Sequence, residues 1–174
     1  MKMLRLIAAF IGVAATAALA AAETPKSTSR IEIIFDHPEN FTDVKDADLP
    51  TERGRDAILA QIRSFLVERA EPMVPDGDTF TMTFTDIDLA GDFEPWRGGQ
   101  WDSVRVVKSI YPPAFKFIYT VTDSSGKVVK QGSEHLRDLD FLMRITPDPS
   151  DSLRYEKQIL DDWLRSNLRD VTKG

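Results

Sequence analysis

The sequence contains 174 residues, and its 22 lysines and arginines stand against 28 aspartates and glutamates, for a formal charge of −6. This length fits one domain with a single hydrophobic core. The acidic balance argues against nucleic acid and anionic lipid as partners, because affinity for phosphates comes from lysine and arginine. The chain has no cysteine, which excludes disulfides, thiol catalysis and cysteine-ligated metals.

Residues 1–22 predict a cleavable signal peptide. Lys2 and Arg5 precede an uncharged apolar stretch, which ends in alanines with the A-x-A spacing that signal peptidase reads. Cleavage is predicted after Ala22, with Ala20 as the alternative site. A transmembrane anchor is the other interpretation, but the stretch of about 15 residues is shorter than the roughly 20 that cross a bilayer. Removal of the leader leaves 20 basic and 28 acidic residues, a charge of −8.

The mature protein is therefore predicted to be periplasmic, with secretion as the alternative, and to keep no stable membrane anchor. Residues 23–30 are polar and predict a flexible tether. Hydrophobic periodicity in the rest of the chain predicts seven elements in the order β-α-β-β-β-β-α. These are a strand at 31–35, a helix at 51–71, strands at 79–88, 102–110, 114–123 and 127–133, and a helix at 152–170.

Strands joined by hairpins, with the helices set apart, indicate an α+β fold. We expect one domain over residues 31–170, with a mainly antiparallel sheet of four to five strands covered by two helices. The clearest strand is 79–85, where threonines alternate with apolar residues, as a half-buried strand requires.

The densest cluster of possible chemistry is the acidic segment 86–94, which contains Asp86, Asp88, Asp92 and Glu94. Carboxylates two residues apart beside a glycine favour calcium, which takes six to eight oxygen ligands. The spacing is not that of an EF-hand, because no glutamate occupies the twelfth position. The alternative is a strand end whose acids cap backbone N–H groups and face water. Apart from this possible calcium site, the sequence predicts no cofactor.

A second acidic group follows the first strand and contains Asp36, Glu39 and Asp43. If that strand lies beside strand 79–88, the two acidic groups meet. Paired carboxylates with separated pKa values serve as acid and base in hydrolysis. The alternative is again that these acids are solvated turn residues.

Trp96 and Trp101 bracket a short turn that contains arginine and two glycines. Exposed tryptophan and arginine are frequent anchors of binding surfaces, so the turn is a candidate recognition loop. The alternative is that both indoles pack onto the core. Arg105 and Lys108 follow, and they are predicted either to join this surface or to pair with nearby acids.

Several motifs together resemble the secreted bacterial family catalogued as domain of unknown function 3016, over about residues 31–168. This family implies a periplasmic, single-domain protein and implies no reaction or ligand. His37 lies inside the first motif but is not part of the family pattern. The motifs are Phe35-Asp36-x-Pro38-Glu39-x-Phe41-Thr42-Asp43, Thr85–Gly91, Val104–Val107, Tyr111–Pro113 and Glu156-Lys157-x-x-Leu160-x-Asp162-Trp163.

We interpret the chain first as a non-enzymatic envelope module that binds an envelope protein or a cell-wall component. Two alternatives are a calcium- or metal-dependent hydrolase that uses segment 86–94, and a folding accessory without a fixed ligand. In the first interpretation, binding residues lie at the loop edge of the sheet, because acids and aromatics gather there. That edge contains Asp36, Glu39, Phe41, Asp43, Asp88, Asp92, Trp96 and Trp101, with Arg105 beside it.

Overall fold

The computed structural model describes residues 30–46, 51–99 and 104–168. The predicted signal peptide, almost all of the predicted tether, and Trp101 lie outside the described residues. Within the described ranges, no helix has both the length and the apolar character needed to cross a membrane.

The described chain contains six strands and two α-helices, and the predicted α+β class is confirmed. The strands are β1 (Ile31–Phe35), β2 (Thr79–Asp88), β3 (Asp92–Phe93), β4 (Arg105–Val106), β5 (Ala114–Thr122) and β6 (Val128–Arg137). The helices are α1 (Glu52–Ala70) and α2 (Arg154–Leu168).

The main sheet has the strand order β1-β2-β5-β6, and a separate two-stranded sheet pairs β3 with β4. Strands β2, β5 and β6 are antiparallel neighbours, whereas β1 runs parallel to β2. A parallel pair needs a long crossover, and α1 supplies it between β1 and β2. One end of the sheet therefore collects the ends of β1, β2 and β6 and the start of β5, and we call it the loop end.

Two strand predictions need correction. The strand predicted at 102–110 is reduced, in its described part, to Arg105–Val106, because only the two residues of β3 are available for it to pair with. The strand predicted at 127–133 continues to Arg137, because Arg137 lies opposite Ala114 at the start of β5. The segment that follows contains a short 3-10 turn at Phe141–Met143.

Both helices pack on one face of the main sheet, and their apolar residues form a single core with the inward strand residues. Trp163 of α2 belongs to this core. The Trp163 ring packs edge-on against Phe117 and Tyr119, with centroid distances of 4.9 and 4.8 Å, and stacks on Phe80 at 6.4 Å. Such aromatic contacts each add about 0.5–1.5 kcal/mol beyond the area that they bury.

Specific contacts are found at both ends of α1. Thr51 caps α1 by accepting a hydrogen bond from the Gly54 amide. Beyond the carboxyl end of α1, Arg30 pairs with Glu71 and with Asp76 at 2.5 and 2.6 Å. Arg30, which the sequence assigns to the tether, therefore already contacts the folded domain.

Gly132 of β6 lies under the Tyr119 ring. A β-carbon at Gly132 would come within 2.8 Å of that ring, which in turn packs on Trp163. We predict that Gly132→Ala lowers the free energy of unfolding by about 1–3 kcal/mol, because the added methyl overpacks this contact. Urea denaturation measures the change.

Gly99→Ala is the control, because a β-carbon at Gly99 meets nothing within 4 Å. Its effect is expected to stay within about 0.5 kcal/mol. Equal stability of Gly132→Ala and the native protein would contradict the predicted contact.

Candidate functional site

The loop end brings Asp43, one acid of the second acidic group, beside the acidic segment 86–94. After β1 the chain turns and rejoins β2, where Asp43 forms a parallel bridge with Asp88. The Asp43 amide donates to the Ile87 carbonyl at 3.0 Å, and the Leu89 amide donates to the Asp43 carbonyl at 3.1 Å. The parallel pairing of β1 with β2 is therefore what joins these segments.

Asp86 and Asp88 have pKa values that are displaced in opposite directions. Burial alone would raise the pKa of Asp86, but hydrogen bonds from Lys116 and Thr42 lower it below the ordinary value. Burial raises the pKa of Asp88, and the neighbouring charges of Asp43 and Asp86 raise it further. Displaced pKa values of this kind mark candidate functional positions, although ion-pair networks produce them as well.

Asp36 and Glu39 are exposed and interact within their own turn. His37 adopts a left-handed backbone conformation with φ of 50°, and its Nδ1 lies 3.1 Å from Glu39 Oε1. This hydrogen bond and the charges of Asp36 and Glu39 raise the pKa of His37. The structure brings neither acid into contact with Asp86 or Asp88.

The acids of segment 86–94 have separate partners. Asp92 is exposed and accepts a hydrogen bond from the Phe93 amide, whereas Glu94 is buried. Glu94 Oε1 accepts from Lys108 Nζ at 2.6 Å and from the Tyr111 hydroxyl at 3.2 Å. Within the described ranges, no three acidic or histidine side chains are grouped so that they could hold a metal ion. Calcium binding by this segment stays a prediction.

The aromatic residues proposed for the loop edge have different surroundings. Trp96 is 71% exposed, as a recognition residue would be. Phe41 is instead buried in the core and packs edge-on against Phe35, because the chain after β1 folds back over β2. Phe41 therefore lies at the loop end but is not exposed there.

Arg105 binds Asp43 through both carboxylate oxygens, at 2.8 and 3.1 Å. The guanidinium also donates to the carbonyls of Gly91 and Lys45, and it lies over the Phe93 ring at 4.7 Å. Both side chains of the ion pair are largely buried, with 15% and 13% exposure. Arg105 therefore ties three segments of the loop end together, and we call these contacts the Arg105 clasp.

Gly91 makes the clasp sterically possible. Its φ is 84°, and a β-carbon there would meet the Val106 carbonyl oxygen at 2.9 Å. Only glycine combines this backbone conformation with such a close approach. The Gly91 carbonyl is thereby placed where Arg105 donates to it at 3.0 Å.

A cleft of about 290 Å³ opens beside the clasp. Its walls come from the segment after Asp43, from α1, from the turn after β2, from the β4 region and from the start of α2. Glu156, in the first turn of α2, lines this cleft and is only 1% exposed. We call it the Glu156 cleft.

Glu156 has one satisfied and one unsatisfied carboxyl oxygen. Its Oε1 accepts a hydrogen bond from the Ala90 amide at 2.7 Å, which fastens α2 to the turn after β2. Its Oε2 is buried and has no hydrogen-bond partner in the described part of the chain. Burial raises the pKa of Glu156, and the Ala90 hydrogen bond offsets this only in part. A protonated carboxyl carries one O–H donor.

The sequence analysis names Arg105 and Asp43 as candidate site residues but does not name Glu156 as one. A signal was present, because Leu153, Glu156, Leu160 and Trp163 follow one another at helical spacings of three and four. An acid on the apolar stripe of a helix is a buried acid, and buried acids need a partner or a role. The hydrogen-bond partner of Glu156, Ala90, is distant in the sequence, and no local pattern identifies it.

The comparisons with known proteins concern this whole region. A family model described as "Protein of unknown function (DUF3016)" matches residues 29–166. The chain belongs to the DUF3016 family. No curated protein and no solved structure matched it. The resemblance drawn from the sequence motifs is confirmed, and this DUF3016 domain includes both the Arg105 clasp and the Glu156 cleft.

We predict that Arg105→Gln lowers the free energy of unfolding by about 2–3 kcal/mol, because Asp43 is left buried and unpaired. A double-mutant cycle with Asp43→Asn should give a coupling energy of about 1–3 kcal/mol. Chemical denaturation of the four proteins measures it.

The matched control is the pair of Arg55 and Asp56, whose acid is 61% exposed. Its coupling should be no more than about 1 kcal/mol. A cycle for Arg105 and Asp43 that gives no more coupling than this control would contradict the role of the clasp.

We predict that Glu156→Gln is more stable than the native protein at neutral pH and that this difference disappears in acid. A raised pKa in the folded state means that the fold holds its proton after the unfolded chain has lost it. Glu156 therefore contributes its full share to the free energy of unfolding below about pH 4.3. This contribution is lost as the pH rises through the pKa that Glu156 has in the folded protein.

Melting temperatures at several pH values test this, with Glu32→Gln as the control because Glu32 is exposed on β1. The prediction fails if Glu156→Gln is less stable than the native protein at neutral pH.

Proposed function

We propose that this DUF3016 protein is a non-enzymatic binding domain of the cell envelope, and that its ligand occupies the Glu156 cleft. The observation that carries the proposal is the buried Glu156 carboxyl, whose Oε2 lacks a partner among the described residues. An unsatisfied buried oxygen costs about 1–3 kcal/mol, and a ligand in the cleft recovers this energy.

The groups around the cleft suit binding. The Arg105 clasp fixes one wall, since its guanidinium is held by Asp43 and by two carbonyls. A ligand then meets a site that is already ordered, and little conformational entropy is lost on binding. Arg105 and Asp43 are both predicted as binding residues from the sequence. Arg105 forms part of the cleft wall, and Asp43 holds Arg105 in place.

A binding role is also favoured over metal-dependent hydrolysis by segment 86–94. Asp86 is neutralised by Lys116 at 2.8 Å, and Glu94 by Lys108 at 2.6 Å. A metal ion would have to displace these ammonium groups. The envelope location rests on the predicted signal peptide of residues 1–22, and an intact-mass measurement of the exported protein tests it.

We predict that Ser152→Trp blocks the cleft, because Ser152 is exposed and lines it. A library of small acids, amines, sugars and peptides is screened by amide chemical shifts. Binders should shift Ala90, Leu153 and Glu156 in the native protein and bind about tenfold or more weakly to Ser152→Trp.

Ser133→Trp is the matched control, because Ser133 is exposed on β6, on the face of the sheet that the helices leave open. It should bind like the native protein. The proposal is overturned if no compound shifts the cleft residues, or if Ser152→Trp folds and binds every compound as well as Ser133→Trp does.

A further inference from the structure

Two cationic side chains at the Glu156 cleft have no carboxylate partner in the described ranges. Lys45 and Arg154 both line the cleft. Arg154 donates to the Asp151 carbonyl and to the Tyr155 hydroxyl, each at 3.2 Å, which leaves further guanidinium donors for a ligand. The cleft also lies at the start of α2, where the helix dipole favours a negative charge.

Part of the remaining wall of the cleft is apolar. Ile58 of α1, Leu89 after β2, Val107 after β4 and Leu153 before α2 contribute to it. A cleft with a charged side and an apolar side selects an amphipathic molecule of limited size. Its volume of about 290 Å³ lies at the lower end of the range for small-molecule sites.

We infer that the Glu156 cleft binds a small organic acid with an apolar body, whose carboxylate pairs with Lys45 and Arg154 and accepts a hydrogen bond from the Glu156 carboxyl. This inference rests on the proposed function and names its ligand class. An amine is the opposite choice, and it is disfavoured because Lys45, Arg105 and Arg154 would all repel it. The apolar body lies against Ile58 and Leu89.

The charges that face Glu156 come from several elements. Arg105 of β4 and Arg154 of α2 act on it directly, and Lys45 and Asp46 line the cleft from the segment after β1. Asp43 compensates Arg105, and Tyr155 lies beside Arg154. Glu156 apart, the named charges are three cations, Lys45, Arg105 and Arg154, and two acids, Asp43 and Asp46, a balance that favours an anion.

The probes are benzoate and hexanoate, with benzamide and benzylamine as matched neutral and cationic compounds. The two acids should shift the amides of Ala90, Leu153 and Glu156, and benzamide and benzylamine should not. Lys45→Gln and Arg154→Gln should each weaken benzoate binding by about tenfold. Arg165→Gln is the control for Arg154→Gln, because Arg165 is exposed and pairs with Asp161.

The dependence of benzoate affinity on pH gives a second test. Benzoate affinity for the native protein should fall over the pH range in which Glu156 loses its proton, because the charged Glu156 then repels the carboxylate. Glu156→Gln keeps a donor without a charge, so it should bind benzoate with an affinity that does not change over this range.

The outcomes separate this inference from the proposed function. Binding of benzylamine at the cleft, or of library members that are not acids, overturns the ligand class and leaves the binding role standing. Benzoate affinity that is unchanged in both Lys45→Gln and Arg154→Gln also overturns the ligand class. No binding by any probe or library member overturns both.

Discussion

The buried hydrogen bond from the Ala90 amide to Glu156 joins the two layers of the fold at the loop end. The turn after β2 is fixed by the sheet on one side and by this carboxyl on the other. A buried acid is costly, and the chain satisfies only one of its two oxygens from the described residues. The start of α2, the course of the turn and the shape of the cleft all depend on this contact.

The Arg105 clasp also supports this region. Arg105 reaches Asp43 after β1 and the carbonyl of Gly91 after β2, so the segments that border the cleft share one guanidinium. The clasp is possible because β1 is parallel to β2 and because Gly91 adopts a conformation that other residues avoid. The topology of the sheet therefore determines where the charged wall of the cleft lies.

The sequence predicts the elements with strong periodicity and fails where pairing is not local. The alternation at 79–88 predicts β2 closely, and the apolar stripe around Trp163 predicts α2 closely. In both segments the local hydrophobic pattern shows which face is buried. The strand predicted at 102–110 is too long, because the segment pairs only with the two residues of β3 despite its high β propensity. The burial of Phe41 is not predicted, because nothing local shows that the chain folds back over β2. The Glu156 site needs residues 66 positions apart, and a single sequence does not reveal such a contact.

The most direct test of this account is a carbon-13 NMR titration of the Glu156 carboxyl, with the Ala90 amide followed in parallel. We expect the carboxyl to titrate above the ordinary glutamate value of about 4.3, and the Ala90 amide to shift with the same midpoint. A midpoint at or below the ordinary value, or an Ala90 amide that does not follow it, would contradict the buried, half-satisfied carboxyl on which the cleft depends.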